Sequence, residues 1–319
     1  MPFPICLNDA FTPVISYLDQ IRSQSDASAA ALAVIHNDTI VCEWYKGAHH
    51  KKAGARLLDA DSMFNIYSIR KSYVGLALAM AIYEGGIADM ETRLSDIIQD
   101  IPREDLGELT VRHLATKRGP KFVGEQRLER EELINKVTQA ATGLTIAQLL
   151  TGKVFEPLEL TGTEWATSPK ETMVCDFTAR DGYASVRIES NEGHERNLYA
   201  TVRDLACWGQ LHLRKGNVRG KQVLPPELFD IAPEIAATSG TSKPVLGWTF
   251  ENGYYHITGY TGCHIVVLPE YDAVGIRMLN DWNLPGTYHK DTYTSEIYSF
   301  HETLIASLEK ARQYSVPSV

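Results

Sequence analysis

Ser68 and Lys71 stand three residues apart at the start of a long apolar run, spelling S-x-x-K. On a helix, positions three apart share a face, so the Lys71 amine can reach the Ser68 hydroxyl. A serine hydroxyl is a poor nucleophile until a neighbouring base takes its proton. Lysine serves as that base when burial lowers its pKa toward neutrality, because desolvation disfavours the charged form. A helix start adds unpaired N–H groups and the positive end of the helix dipole, which stabilise developing negative charge. Such a pair supports acyl transfer through an acyl-enzyme. Taken alone it is weak ground: Ser and Lys three apart arise by chance in most chains of this length. A serine cap followed by a solvated lysine is spelled the same way.

The elements that must hold this pair follow from the pattern. Residues 68–84 are apolar nearly all round (Val74, Leu76, Leu78, Met80, Ile82) and end at Gly85-Gly86, which predicts a helix buried in the centre of the fold. Residues 11–24 are amphipathic and predict a helix, while 29–35 and 39–45 predict two strands around a turn at His36-Asn37-Asp38. From 89 to about 213 the pattern is mostly helical, with Thr145 starting one helix and Thr201 with Asp204 capping another. Residues 247–250, 254–258, 264–268 and 273–279 read as strands, and 295–314 as a closing helix.

This order predicts an α+β fold, an α/β/α sandwich. Its antiparallel sheet is built from both chain ends, flanked by helices, with a mostly helical domain inserted. Residues 1–88 and 215–319 are expected to form the sheet-containing domain, 89–214 the helical one, with the active site between them.

Context strengthens the S-x-x-K reading. Phe64-Asn65-Ile66-Tyr67-Ser68-Ile69-Arg70-Lys71-Ser72-Tyr73 resembles the nucleophile segment of the serine β-lactamase and penicillin-binding family, especially its class C β-lactamase, esterase and D-aminopeptidase branch. Four further stretches are similar to that family in the same order: 110–114, 155–161 (close to its "FEPLGMT"), 199–205 (close to its "STARDL") and 256–262 followed by Leu268-Pro269-Glu270. The resemblance implies the β-lactamase/transpeptidase-like fold. It places Thr258 and Gly259 in the third-motif strand, and the backbone N–H of Tyr260 where the family supplies an oxyanion donor beside the N–H of Ser68.

Two motifs depart from the family pattern. Its Tyr-x-Asn is missing between Arg118 and Gly143, where the tyrosine slot falls near Gln126. The Lys or His that usually precedes Thr-Gly is replaced by Ile257. His256 is adjacent, but strand alternation turns it to the opposite face, and only a β-bulge would bring it inward. Tyr67, Tyr183, Tyr199, Tyr260 and Glu125 are candidate substitutes for the lost tyrosine, none favoured over the rest. With Ile257 in place of the usual carboxylate anchor, carboxylate-bearing substrates such as β-lactams or cell-wall peptides are disfavoured.

Composition narrows the field. The chain has 319 residues, 44% hydrophobic, and a net charge of -9 that argues against nucleic acid. Its basic residues are scattered, and His49-His50-Lys51-Lys52 reads as a solvated loop. The five cysteines, Cys6, Cys42, Cys175, Cys207 and Cys263, have neither disulfide nor zinc spacing and read as isolated buried thiols. Metal, flavin or nucleotide chemistry has no support, because there is no His/Cys cluster and no Gly-rich phosphate loop. No apolar stretch approaches the ~20 residues of a membrane span, and the opening residues lack a signal peptide's basic and apolar regions. A chain cut from a longer precursor would look the same.

The expected protein is therefore cytoplasmic and free of cofactors. It is expected to be a serine hydrolase or acyltransferase of specialised metabolism, acting on a small ester, amide or thioester. Ser68, Lys71 and Tyr260 are its catalytic candidates, and Ile257, Thr258 and Gly259 its substrate-binding ones. The rival expectation is a non-catalytic binding or regulatory protein on the same fold.

Overall fold

The computed structural model describes residues 3–176, 182–240, 243–282 and 290–314. Its main sheet begins with Ala29–His36 (β1) and Thr39–Gly47 (β2). They are joined through Asn37 and Asp38, whose φ of 49° and 57° form the left-handed pair that a two-residue hairpin turn needs. Thr249–Glu251 (β3), Tyr254–Thr258 (β4), His264–Leu268 (β5) and Ala273–Leu279 (β6) complete it. The order is β3-β4-β5-β6-β1-β2, and every neighbouring pair is antiparallel. The β6–β1 pair, with Ala33 opposite Ile276, joins the two chain ends.

Five principal helices accompany the sheet: Thr12–Gln24 (α1), Arg70–Tyr83 (α2), Arg130–Thr142 (α3), Val202–Leu213 (α4) and Lys290–Tyr314 (α5). Strand β1 shows why two layers are needed, because its side chains alternate between two cores. Ala30, Leu32 and Val34 pack with Val14 and Leu18 of α1 and with Leu304 and Leu308 of α5. Ala31, Ala33 and Ile35 belong to the larger core that holds α2 and α4.

Helix α2 is buried almost all round, as its apolar sequence predicts. Tyr73 stacks on Trp208 of α4 with ring centroids 3.7 Å apart. The Trp208 indole donates to Ser72 Oγ at 3.0 Å, and Ser72 Oγ donates to the Ile69 carbonyl at 2.8 Å. On another side, a Cβ at Gly247 (φ 91°) would lie 2.4 Å from the Lys71 carbonyl, so only glycine admits this approach. The helix bearing the candidate base is thereby fixed through its backbone.

From 89 to about 213 the chain is less uniformly helical than its pattern predicts. A three-stranded sheet crosses it, formed by Met63–Asn65, Leu198–Thr201 and Thr163–Trp165. Strands this short carry too few residues to show a period of two. The predicted caps form: Thr145 Oγ1 accepts the Gln148 N–H at 3.3 Å, and Thr201 Oγ1 accepts that of Asp204 at 3.1 Å. Two other readings need correction. Cys42, Cys175, Cys207 and Cys263 are buried thiols, but Cys6 is exposed. His49 is fully buried, bonded to Ser62 Oγ at 2.8 Å and Tyr183 OH at 3.1 Å, because tertiary packing covers its loop. Among the described residues no helix is long and apolar enough to cross a membrane.

Candidate active site

The chain reaches Ser68 through a strained turn. Tyr67 has φ 44°, a left-handed conformation that is costly for an aromatic residue. Its N–H donates to Asn65 Oδ1 at 2.9 Å and its hydroxyl to Asp176 Oδ2 at 2.6 Å, anchoring it at both ends. Ser68 follows within a 3₁₀ turn, Tyr67–Ile69, that leads into α2. Lys71 lies one turn on, and its Nζ is 3.4 Å from Ser68 Oγ. Burial lowers the Lys71 pKa to about 8, with Arg70, Lys117 and Arg130 pushing the same way and Glu131 opposing them. A measurable fraction of the amine is therefore neutral near physiological pH.

Glu131, on the first turn of α3, places Oε1 4.0 Å from Lys71 Nζ. Burial alone would raise its pKa, but Arg130, Arg70 and Lys71 outweigh burial and hold it down at about 2. Arg130 donates to the same oxygen at 2.6 Å. Sequence alone does not single out Glu131, because an acidic residue in a first helical turn is ordinarily explained by the helix dipole. The signal that could have exposed it is its place shortly after Gln126, near which the slot of the missing tyrosine falls.

Ser68 and Lys71 line a cavity of about 680 Å³, and Tyr67 and Tyr260 line it too. Tyr260 is half exposed, its ring centroid 6.2 Å from that of Tyr67. It sits on a tight loop where Gly259 N–H donates to the Cys263 carbonyl at 2.7 Å. Buried Arg277 holds the loop from behind, donating to the Gly262 carbonyl at 3.1 Å while paired with Glu296. Gly259 itself runs against the nucleophile turn: a Cβ there would lie 2.5 Å from the Ile66 carbonyl oxygen.

The other nominated residues stand apart from the cavity. Ile257 is buried in the core that includes Ile66 and Ile69, and its side chain does not line the cavity. Thr258 Oγ1 meets His264 Nδ1 at 2.7 Å on the opposite face of β4. Tyr199 is buried in a separate cluster, Tyr183 bonds His49, and Glu125 is exposed outside the cavity wall.

What surrounds Ser68 instead is positive charge. Arg70, Lys71, Lys117, Arg118, Lys121, Arg130, Arg187 and Arg196 face two carboxylates, Glu129 and Glu131. Arg196 grips Glu129 at 2.7 and 2.8 Å, and Arg130 takes Glu131. Lys117, Arg118 and Lys121, exposed at the mouth, make no ion pair among the described residues. The expectation that a carboxylated substrate would find no partner in the site rested on Ile257. These cations, brought in from other segments, remove that ground.

The fold described above is β-lactamase-like, and the comparisons agree. The sequence model of the Beta-lactamase family matches residues 14–119 and 131–297, and the chain belongs to that family. An uncharacterized protein of Alkalihalophilus pseudofirmus is 29% identical over 341 aligned positions, covering 95% of this chain and 98% of that one. Among solved structures, a penicillin-binding protein homologue from Caulobacter crescentus superimposes with a TM-score of 0.68 at 14% identity, covering 87% of this chain and 93% of its own. EstCE1, a hydrolase with promiscuous acyltransferase activity, superimposes with a TM-score of 0.64 at 13% identity over 88% and 96%.

Proposed function

We propose that the protein is a serine acyl-transfer enzyme acting on a small ester, amide or thioester. The observation that carries this reading is the Lys71 amine, lowered to about 8 and 3.4 Å from Ser68 Oγ, at the wall of a 680 Å³ cavity. Neutral Lys71 takes the Ser68 proton as Oγ attacks the substrate carbonyl carbon. The oxygen of the tetrahedral intermediate is held by the N–H groups of Ser68 and Tyr260. Collapse breaks the bond to the leaving group, which departs with the proton from Lys71, and leaves an ester on Ser68. Water or another nucleophile, deprotonated by the same amine, then takes the acyl group and restores the serine.

The basic mouth favours acyl donors carrying an anionic group, because an anion there meets Lys117 and Lys121 before it loses its water. Intact mass after treatment with a fluorophosphonate tests the reading. One adduct, mapped to Ser68, is the expected result. An unlabelled protein that still binds small anions in the cavity would support the non-catalytic alternative.

A further inference from the structure

On the face of the sheet turned away from the cavity, three histidines distant in sequence converge. His256 lies on β4, His264 on β5 and His301 on α5, and their ligand nitrogens all fall within 4.8 Å of one another. His264 is fully buried and His301 is 2% exposed. His264 Nε2 and His301 Nε2 are 2.8 Å apart. Neither nitrogen of His256 has a hydrogen-bond partner, nor does Nδ1 of His301. Leaving a buried polar atom unpaired is costly, and three such atoms in one cluster need an explanation.

We propose that His256, His264 and His301 bind one divalent transition-metal ion of the zinc type. Three imidazoles select against calcium and magnesium, which take oxygen ligands, and suit zinc, cobalt, nickel or copper. His264 is oriented for the task. If its Nδ1–H donates to Thr258 Oγ1 at 2.7 Å, the Nε2 lone pair faces the other two rings.

Glu251 Oε2 stands 3.6 Å from His256 Nε2, beyond a hydrogen bond. Tyr298 OH donates to both Glu251 oxygens, at 3.0 and 2.9 Å. The neighbouring Arg277 charge is matched by Glu296, so it does not repel a cation unopposed. Zinc–nitrogen bonds of about 2.0–2.1 Å require the two Nε2 atoms to part to about 3.3 Å, a small ring rotation. Sequence spacing hid the cluster, since its members come from two strands and the closing helix. The bound ion would clip α5 to β4 just before Gly259 and Tyr260, and the proposal stands independently of the acyl-transfer reading.

The full chain, stripped of metal with a chelator and dialysed, is titrated with zinc chloride by calorimetry and with cobalt(II) by visible absorption. One zinc per chain, a rise in Tm and the intense visible bands of tetrahedral cobalt are expected. His301→Gln and His256→Gln should each weaken zinc binding about a hundredfold or more, while His113→Ala, remote from the cluster, leaves it unchanged. Absence of saturable binding, or binding unaltered in both cluster variants, would overturn the proposal. If those variants do not fold, the parent decides, and a weak octahedral cobalt spectrum counts against the site.

Discussion

Glu131 Oε1 stands 4.0 Å from Lys71 Nζ, near enough to hold the lysine charge yet too far for a strong hydrogen bond. The carboxylate thus stabilises protonated Lys71, while burial and three cations destabilise it. If Lys71 is the base, activity should rise with pH as the amine loses its proton, with a midpoint near 8. Glu131→Gln removes the main influence that raises this pKa, so the rise should move to lower pH. Lys71→Arg, which keeps charge but cannot deprotonate, should lose about a hundredfold or more. A kcat/KM profile that Glu131→Gln leaves unmoved would show that Lys71 is not the titrating base.

Ser68→Ala tests the nucleophile directly. The side chain is small, and no described contact other than Lys71 Nζ depends on its hydroxyl. Tm should therefore stay within about 1 kcal/mol equivalent of the parent. Turnover of a p-nitrophenyl ester should fall by several orders of magnitude. Hydrolysis at the parental rate would place the chemistry elsewhere.

The basic mouth predicts a charge preference. For a matched pair of acyl donors, one with a carboxylate and one neutral, kcat/KM should favour the carboxylate, and the advantage should shrink as salt is added. Lys117→Glu with Lys121→Glu should reverse it by about tenfold or more, two like charges now opposing entry. Both residues are exposed, so the fold should tolerate the change. An unchanged preference in the double variant would separate the cation cluster from substrate choice.

The legible parts of this molecule are those governed by local rules. The spacing of Ser68 and Lys71 is a property of one helical turn, and α2 announces its burial by having almost no polar face. Strand alternation correctly puts His256 opposite Ile257, and β4 keeps a regular register with β5, without a bulge. What stays hidden depends on distant segments meeting. Glu131 reaches Lys71 only because α3 packs against α2. The cavity's cations come from residues 117–130, Arg187 and Arg196 as well as α2. The same holds for His49, which looks like part of a polar loop until Ser62 and Tyr183 close over it.

Ile257 yields the prediction in which sequence and structure differ most. If its side chain met substrate, Ile257→Lys would restore the family's usual cation and shift preference toward carboxylated donors. In the structure it is 8% exposed and packs in the core with Ile66 and Ile69, outside the cavity lining. A lysine there must bury its ammonium or expel it by distorting the end of β4, so Ile257→Lys should destabilise the protein by several kcal/mol. The loss should depend on pH with a definite sign. A buried lysine has a depressed pKa in the folded state and an ordinary one near 10.4 when unfolded. The unfolded chain then binds the extra proton below that value, so the deficit is largest near neutrality and narrows as pH rises toward 10. Ile257→Met, which keeps volume and polarity, should cost less than about 1.5 kcal/mol at every pH. Urea denaturation of the three proteins at pH 7 and 9.5 makes the comparison. A lysine variant as stable as the parent, with faster turnover of carboxylated donors, would place position 257 in the substrate site after all.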